Sequence, residues 1–148
     1  MIDCIIFSKD RACQLHLLLG SLAANAPEFF DGIGVIYKAT SGKSLKAYDL
    51  LEAEGHAVKW FNEDKHTGFN TCFGNDTRFG FKRLTENIVA SSDADYMSFL
   101  VDDDIIYRPI PEHPKYVEYI MEVMKLFCFT LRLGTNTIYE GVQTKTPA

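Results

Sequence analysis

The stretch Tyr96-Met97-Ser98-Phe99-Leu100-Val101-Asp102-Asp103-Asp104 decides the fold of this chain. Its first six residues read as a buried strand, with acids bounding it on both sides. The three carboxylates that end it repel one another, and no Lys or Arg lies nearer in sequence than Arg108. Such a cluster is costly unless a cation balances it, and hard divalent ions prefer carboxylate oxygen. The carboxyl end of a strand in an α/β sheet is where such folds bind ligands. The trio reads as a Mg²⁺ or Mn²⁺ site holding a phosphate-bearing substrate; the bland alternative is a solvated acidic turn.

Outward from that strand, segments of two kinds alternate. Cys4–Ser8 reads as β1, and Leu15, Leu18, Leu19 and Leu22 carry helical spacing over Gln14–Leu22. Asn25-Ala26-Pro27 ends that helix. Ile33–Ala39 is a second strand, Ser44–Glu54 a helix closed by Gly55, and Ala57–Phe61 a third strand. Asn62–Asp76 reads as a loop, and Arg78–Ser91 as a helix with Phe81, Leu84, Ile88 and Val89 on or near one face. After Pro109, Pro111 and Pro114, Tyr116–Leu126 reads as a helix and Phe127–Leu133 as a fifth strand. This alternation predicts an α/β fold, a mainly parallel sheet with helices on both faces. The whole span 1–148 is expected to form one domain.

Composition narrows the function. The apolar fraction of 47% suffices for a real core. A net charge of −5 argues against a nonspecific nucleic-acid binder, which needs a basic face. It does not argue against a nucleotide, whose diphosphate a metal ion and a few local cations can neutralise. Among the four cysteines no C-x-x-C pair occurs, and Cys4 and Cys128 fall in apolar runs, so buried free thiols in a reducing compartment are expected. The apolar start has Asp3 and no basic residue before it, and is too short for a signal peptide or a membrane span. A cytoplasmic location without a transmembrane segment is the expectation.

Several other residues are candidates for chemistry. The turn Ser8-Lys9-Asp10-Arg11 joins a strand to a helix N-terminus, which attracts anions. Arg11 can stack on a base or clasp a phosphate, while Asp10 is a candidate helix cap. Neither G-x-G-x-x-G nor a Walker pattern is present there. Lys82, in the helix before the strand Tyr96–Val101, could reach a bound diphosphate or the acids. His16, His56, His66 and His113 show no i, i+4 metal pair, and each reads more readily as a non-ligand. Tyr107 and Arg108 could line a pocket or cover a strand end.

Ile5-Ile6-Phe7-Ser8-Lys9-Asp10-Arg11 followed by Gln14-Leu15 resembles the opening of nucleotide-sugar glycosyltransferases with the GT-A fold, and Phe99-Leu100-Val101-Asp102-Asp103-Asp104 resembles their DXD motif. Phe129-Thr130-Leu131-Arg132-Leu133-Gly134 is similar to a segment after the DXD in family-2-like members. The resemblance runs from about Ile2 to Gly134. It implies a nucleoside-diphosphate sugar donor, an acceptor the sequence does not name, and Mn²⁺ or Mg²⁺ as cofactor. It places Asp102 at the ribose, directly or through the metal, and Asp104 on the metal, with Asp103 able to replace either. Phe7, Ser8, Lys9 and Arg11 would hold nucleobase and ribose. Relatives often carry an Asp after the second strand; here that region reads Lys38-Ala39-Thr40-Ser41, leaving Asp64 as a possible replacement. An inverting member also needs a carboxylate base from beyond the DXD. Glu112, Glu118, Glu122 and Glu140 are the acids available, none in a recognisable motif. The chain therefore reads as a donor-binding half.

Two alternatives stand beside this reading. One is a non-catalytic module of the same fold that binds a partner or self-associates as a homo-oligomer through exposed apolar surface. The other is a metal-dependent phosphohydrolase or nucleotidyltransferase, although the D-x-D-x-[TV] pattern of one phosphatase class is missing around Asp10.

Overall fold

The computed structural model describes residues 1–66, 77–110 and 113–128, with the side chains of 66 and 77–79 excepted. The elements are β1 (Ile2–Lys9), α1 (Ala12–Asn25), β2 (Gly32–Lys38), α2 (Gly42–Ala53), β3 (Lys59–Asn62), α3 (Glu63–His66), α4 (Thr77–Ser91), β4 (Tyr96–Val101) and α5 (Pro114–Val123). The four strands form an all-parallel sheet in the order β3-β2-β1-β4. Helices flank it on both sides, a Rossmann-like arrangement that agrees with the α/β expectation.

The layering follows from alternation along β1, whose successive side chains leave on opposite faces. Cys4 and Ile6 point into the larger core with Leu15, Leu18, Leu19 and Leu22 of α1, Tyr48 and Leu51 of α2, and Val117 of α5. Ile5 and Ile36 point the other way, onto Leu84 of α4, with Phe7, Phe61, Ile88 and Met97 around them. The leucines read as a helical stripe are thus the packed face of α1. Gly55 closes α2 as expected, in the left-handed region at φ 76°, where a side chain would be strained.

The strand order creates the feature that matters for binding. From β1 the chain steps outward to β2 and β3, then crosses back to place β4 on the other side of β1. The β1/β4 boundary is therefore a topological switch point, and in open α/β sheets ligands bind at the carboxyl ends of the strands there.

Some expectations need correcting. Part of the predicted loop 62–76 is the short helix α3, begun by Asn62, whose Oδ1 accepts from the backbone N–H of Asp64 (2.9 Å) and Lys65 (3.4 Å). Helix α5 starts and ends earlier than Tyr116–Leu126. Phe127 and Cys128 are not in a strand, and Cys128 is exposed rather than buried. The remainder of the expected fifth strand lies outside the described residues, as do Glu112, Glu140 and Cys72. Among the described residues no helix is long and apolar enough to cross a membrane.

Burial pushes the Cys4 thiol up to about 12, whereas Cys13 and Cys128 are exposed. The thiolate is the reactive form. Iodoacetamide at pH 8 is therefore expected to alkylate Cys13 and Cys128 in the native protein and Cys4 only after denaturation, as read by peptide mass mapping.

Candidate active-site cleft at the β1/β4 boundary

Asp102 directly follows the last residue of β4 and continues its ladder, its N–H donating to the Phe7 carbonyl at 3.1 Å. Its side chain turns inward and is almost wholly buried, at 4% exposure. Oδ2 accepts from Ser8 Oγ (2.9 Å) and from the Lys9 N–H (3.3 Å). Arg11 Nη1 stands 3.5 Å from Oδ1. A buried carboxylate needs both hydrogen bonds and a counter-charge, and the β1 turn supplies them all.

Tyr48 extends this arrangement from α2. Its ring is fully buried beside Tyr37, and its hydroxyl lies 2.6 Å from Ser8 Oγ. The Arg11 N–H donates to the Tyr48 hydroxyl oxygen at 3.0 Å. Since Ser8 spends its proton on Asp102, Tyr48 must donate to Ser8, which gives a chain from Arg11 N–H through Tyr48 and Ser8 to the carboxylate. Burial raises the Tyr48 hydroxyl above its ordinary range, so it remains a proton donor.

The other two acids diverge from Asp102. Asp103 is largely exposed, with Oδ2 3.6 Å from the same Arg11 nitrogen. Asp104 folds back on β4: its Oδ2 accepts from the Val101 N–H at 2.9 Å, and its own N–H donates to the Val101 carbonyl at 3.0 Å. The trio is therefore arranged as one buried anchor, one exposed carboxylate facing Arg11, and one turn-closing side chain.

Asp10 does not cap α1. It sits in the left-handed region at φ 57° and bonds the Thr40 backbone N–H and Oγ1, each at 2.7 Å. The bond from the Thr40 backbone, then that from its hydroxyl, hold the Asp10 carboxyl below its usual range. The turn after β1 is thereby tied to the turn after β2.

These turns surround a cleft of about 590 Å³, a size suited to a small-molecule ligand. Phe7, Ser8, Lys9, Arg11, Asp102 and Asp103, six of the residues singled out in the sequence, line it. Asp64, Lys82 and Asp104 do not. Lys82 pairs instead with Glu86 along α4 at 3.6 Å. Asp64 lies 3.6 Å from Lys38 Nζ, one step back from the lining. Tyr107 and Arg108 are likewise not lining residues; the guanidinium carbon of Arg108 rests 5.4 Å from the Tyr107 ring centroid.

Sequence reasoning missed Ile36, Lys38, Glu63, Phe81 and Val101, which complete the wall. Lys38 Nζ donates to Glu63 Oε1 at 3.0 Å, and that bond raises the Lys38 ammonium above its ordinary value. Lys38 ends β2 at the same sheet edge, a signal the sequence did contain. Phe81 meets Phe7 with centroids 5.3 Å apart, an apolar wall opposite the charges. Of the acids considered as a base, Glu118 pairs with the N-terminal amine at 2.5 Å, and Glu122 lies near Tyr96. Both therefore sit at the amino end of the sheet, opposite the cleft.

Asp102→Ala is expected to lower stability by about 2–3 kcal/mol and Tyr48→Phe by about 1 kcal/mol in urea unfolding. With its raised value the folded chain keeps a Tyr48 proton that the unfolded chain gives up, so stability falls as pH rises beyond about 10. The melting temperature of Tyr48→Phe is expected to fall less steeply over that range than that of the wild type.

Comparison of this chain with protein-family models, with curated proteins and with solved structures finds no match in any of the three.

Proposed function

We propose that this chain binds the nucleoside-diphosphate part of a sugar donor and serves as the donor-binding domain of a metal-dependent glycosyltransferase. One observation carries the reading: at the switch point of a parallel sheet, Arg11 stands between Asp102 and Asp103 in a cleft with an aromatic wall. Phe7 and Phe81 offer apolar faces for a base. Lys9, Arg11 and Lys38 offer positive charge to the phosphates.

The donor set fits a hard divalent ion, since Asp102 and Asp103 bring carboxylate oxygen to the cleft. A bound Mg²⁺ or Mn²⁺ would supply charge neutralisation for the departing diphosphate. Arg11 now occupies the space between those carboxylates and is half exposed. It is free to exchange a carboxylate for a phosphate as its partner. Buried Asp102 then positions, while exposed Asp103 meets the ligand. Glu63 is the further carboxylate on the wall, held by Lys38.

A second reading, self-association as a non-catalytic module, is favoured by the exposure of Tyr116, Tyr119 and Val123 on α5. A concentration-independent monomer in light scattering would weigh against it.

Calorimetric titration with UDP and GDP is expected to show binding of at least one that strengthens with Mn²⁺. Arg11→Ala and Asp103→Asn are each expected to weaken it roughly tenfold, a loss of about 1.4 kcal/mol, Asp103→Asn with the fold intact and Arg11→Ala with a lower melting temperature because buried Asp102 loses its counter-charge. Loss of the Mn²⁺ effect in Asp104→Ala would move the ion to Asp104, as the DXD resemblance implies. No binding of any nucleotide with or without metal would overturn the proposal.

A further inference from the structure

His16, Glu54 and His56 come from separate pieces of the fold and meet at one point. His16 belongs to α1, Glu54 is the C-cap of α2, and His56 lies in the turn leading to β3. Left-handed Gly55 reverses the chain between Glu54 and His56, which lets neighbours in sequence face the same oxygen. His16 Nδ1 lies 3.0 Å from Glu54 Oε2, and His56 Nε2 lies 3.2 Å from that same atom. All three ligand atoms fall within 4.8 Å of one another, and the two imidazoles meet edge to face with centroids 6.1 Å apart.

We infer that His16, Glu54 and His56 form a Zn²⁺ site with a fourth position open to water. Zinc takes imidazole nitrogen and carboxylate oxygen at about 2.0–2.2 Å in tetrahedral geometry, which sets neighbouring ligand atoms roughly 3.3 Å apart. The two nitrogen–oxygen separations are already close to that. Two imidazoles with a single carboxylate suit zinc better than Mg²⁺ or Ca²⁺, which prefer all-oxygen shells. The turn holding Glu54 and His56 enters β3 at its amino end, so the site is separate from the cleft, which gathers at the carboxyl ends. His16 and Glu54 are about half exposed, so the ion exchanges with solvent. Bound there, it pins α1 to the α2–β3 turn and stabilises the folded chain by mass action.

The same contacts without metal are a hydrogen bond of His56 with Glu54 and an ion-pair contact of His16 with the same carboxylate oxygen, and titration separates the two cases. The full chain, stripped with EDTA, is titrated with ZnCl₂ by calorimetry, and its melting temperature is followed with and without Zn²⁺. One ion per chain is expected, with a Zn²⁺-dependent rise in melting temperature. His16→Ala and His56→Ala should each weaken binding by at least about tenfold, the least that even an outer-shell partner costs. Glu54→Gln, nearly isosteric, should weaken it while circular dichroism stays unchanged. Cys13, one turn before His16 on α1, is the nearest thiol in sequence, and Cys13→Ser should bind as the wild type does. Absence of saturable binding, undiminished binding in the double variant H16A/H56A, or loss of binding in Cys13→Ser would each overturn the site.

Discussion

The buried carboxylate of Asp102 is the constraint on which the rest of this structure depends. Removing a charge from water costs several kcal/mol unless partners replace the lost hydration. Here Ser8 Oγ, the Lys9 N–H and the Arg11 guanidinium replace it, and all three belong to the end of β1 and the turn that follows it. Satisfying one side chain therefore fixes the end of β4, the path of the β1 turn and the start of α1 together. Tyr48 brings α2 into the same network. Asp10, through Thr40, fastens the neighbouring turn. The rim of the cleft is thus held mainly by polar bonds, while the sheet beneath it is held by apolar packing.

That rim is balanced in charge despite the net −5 of the chain. Lys9, Arg11 and Lys38 face Glu63, Asp102 and Asp103 across one cleft, and most are already paired. An anionic ligand entering such a site gains less from long-range attraction than from exchange of partners. Arg11 is best suited to exchange, because its two carboxylate contacts are at 3.5 and 3.6 Å and it keeps solvent access. Asp102 is least suited, because its bonds are short, buried and shared with the fold.

Much of this was legible in the residues. The leucine stripe of α1, the apolar run of β1 and the acids at the end of β4 gave the layers and the place of the cleft, because hydrophobic period is a local property of the chain. β4 itself, read as a buried strand, is instead an edge strand with no buried residue and with Phe99 and Val101 exposed, since only β1 pairs with it. The loop expected over 62–76 hid α3, since one turn of helix carries almost no periodicity; Asn62 followed by Glu63 and Asp64 was the capping signal. The histidines gave no local motif, and His16 and Glu54 lie 38 positions apart. Lys82 read as a reach toward the acids, but its helix carries it to Glu86 instead.

The sequence by itself determined where apolar and charged side chains alternate, and with that the α/β class, the parallel strands and the acidic end of β4. It could not assign different tasks to Asp102, Asp103 and Asp104, which are chemically identical and adjacent. Tertiary structure decided that: the pleat turns Asp102 inward against β1, leaves Asp103 at the mouth of the cleft, and lets Asp104 close the turn at the end of β4. Strand order, too, was decided only on folding, when the crossover through α4, packed on one face of the sheet, seats β4 beside β1. Burial and hydrogen bonding are properties of the assembled layers, so identical residues acquire distinct chemistry only once those layers are in contact.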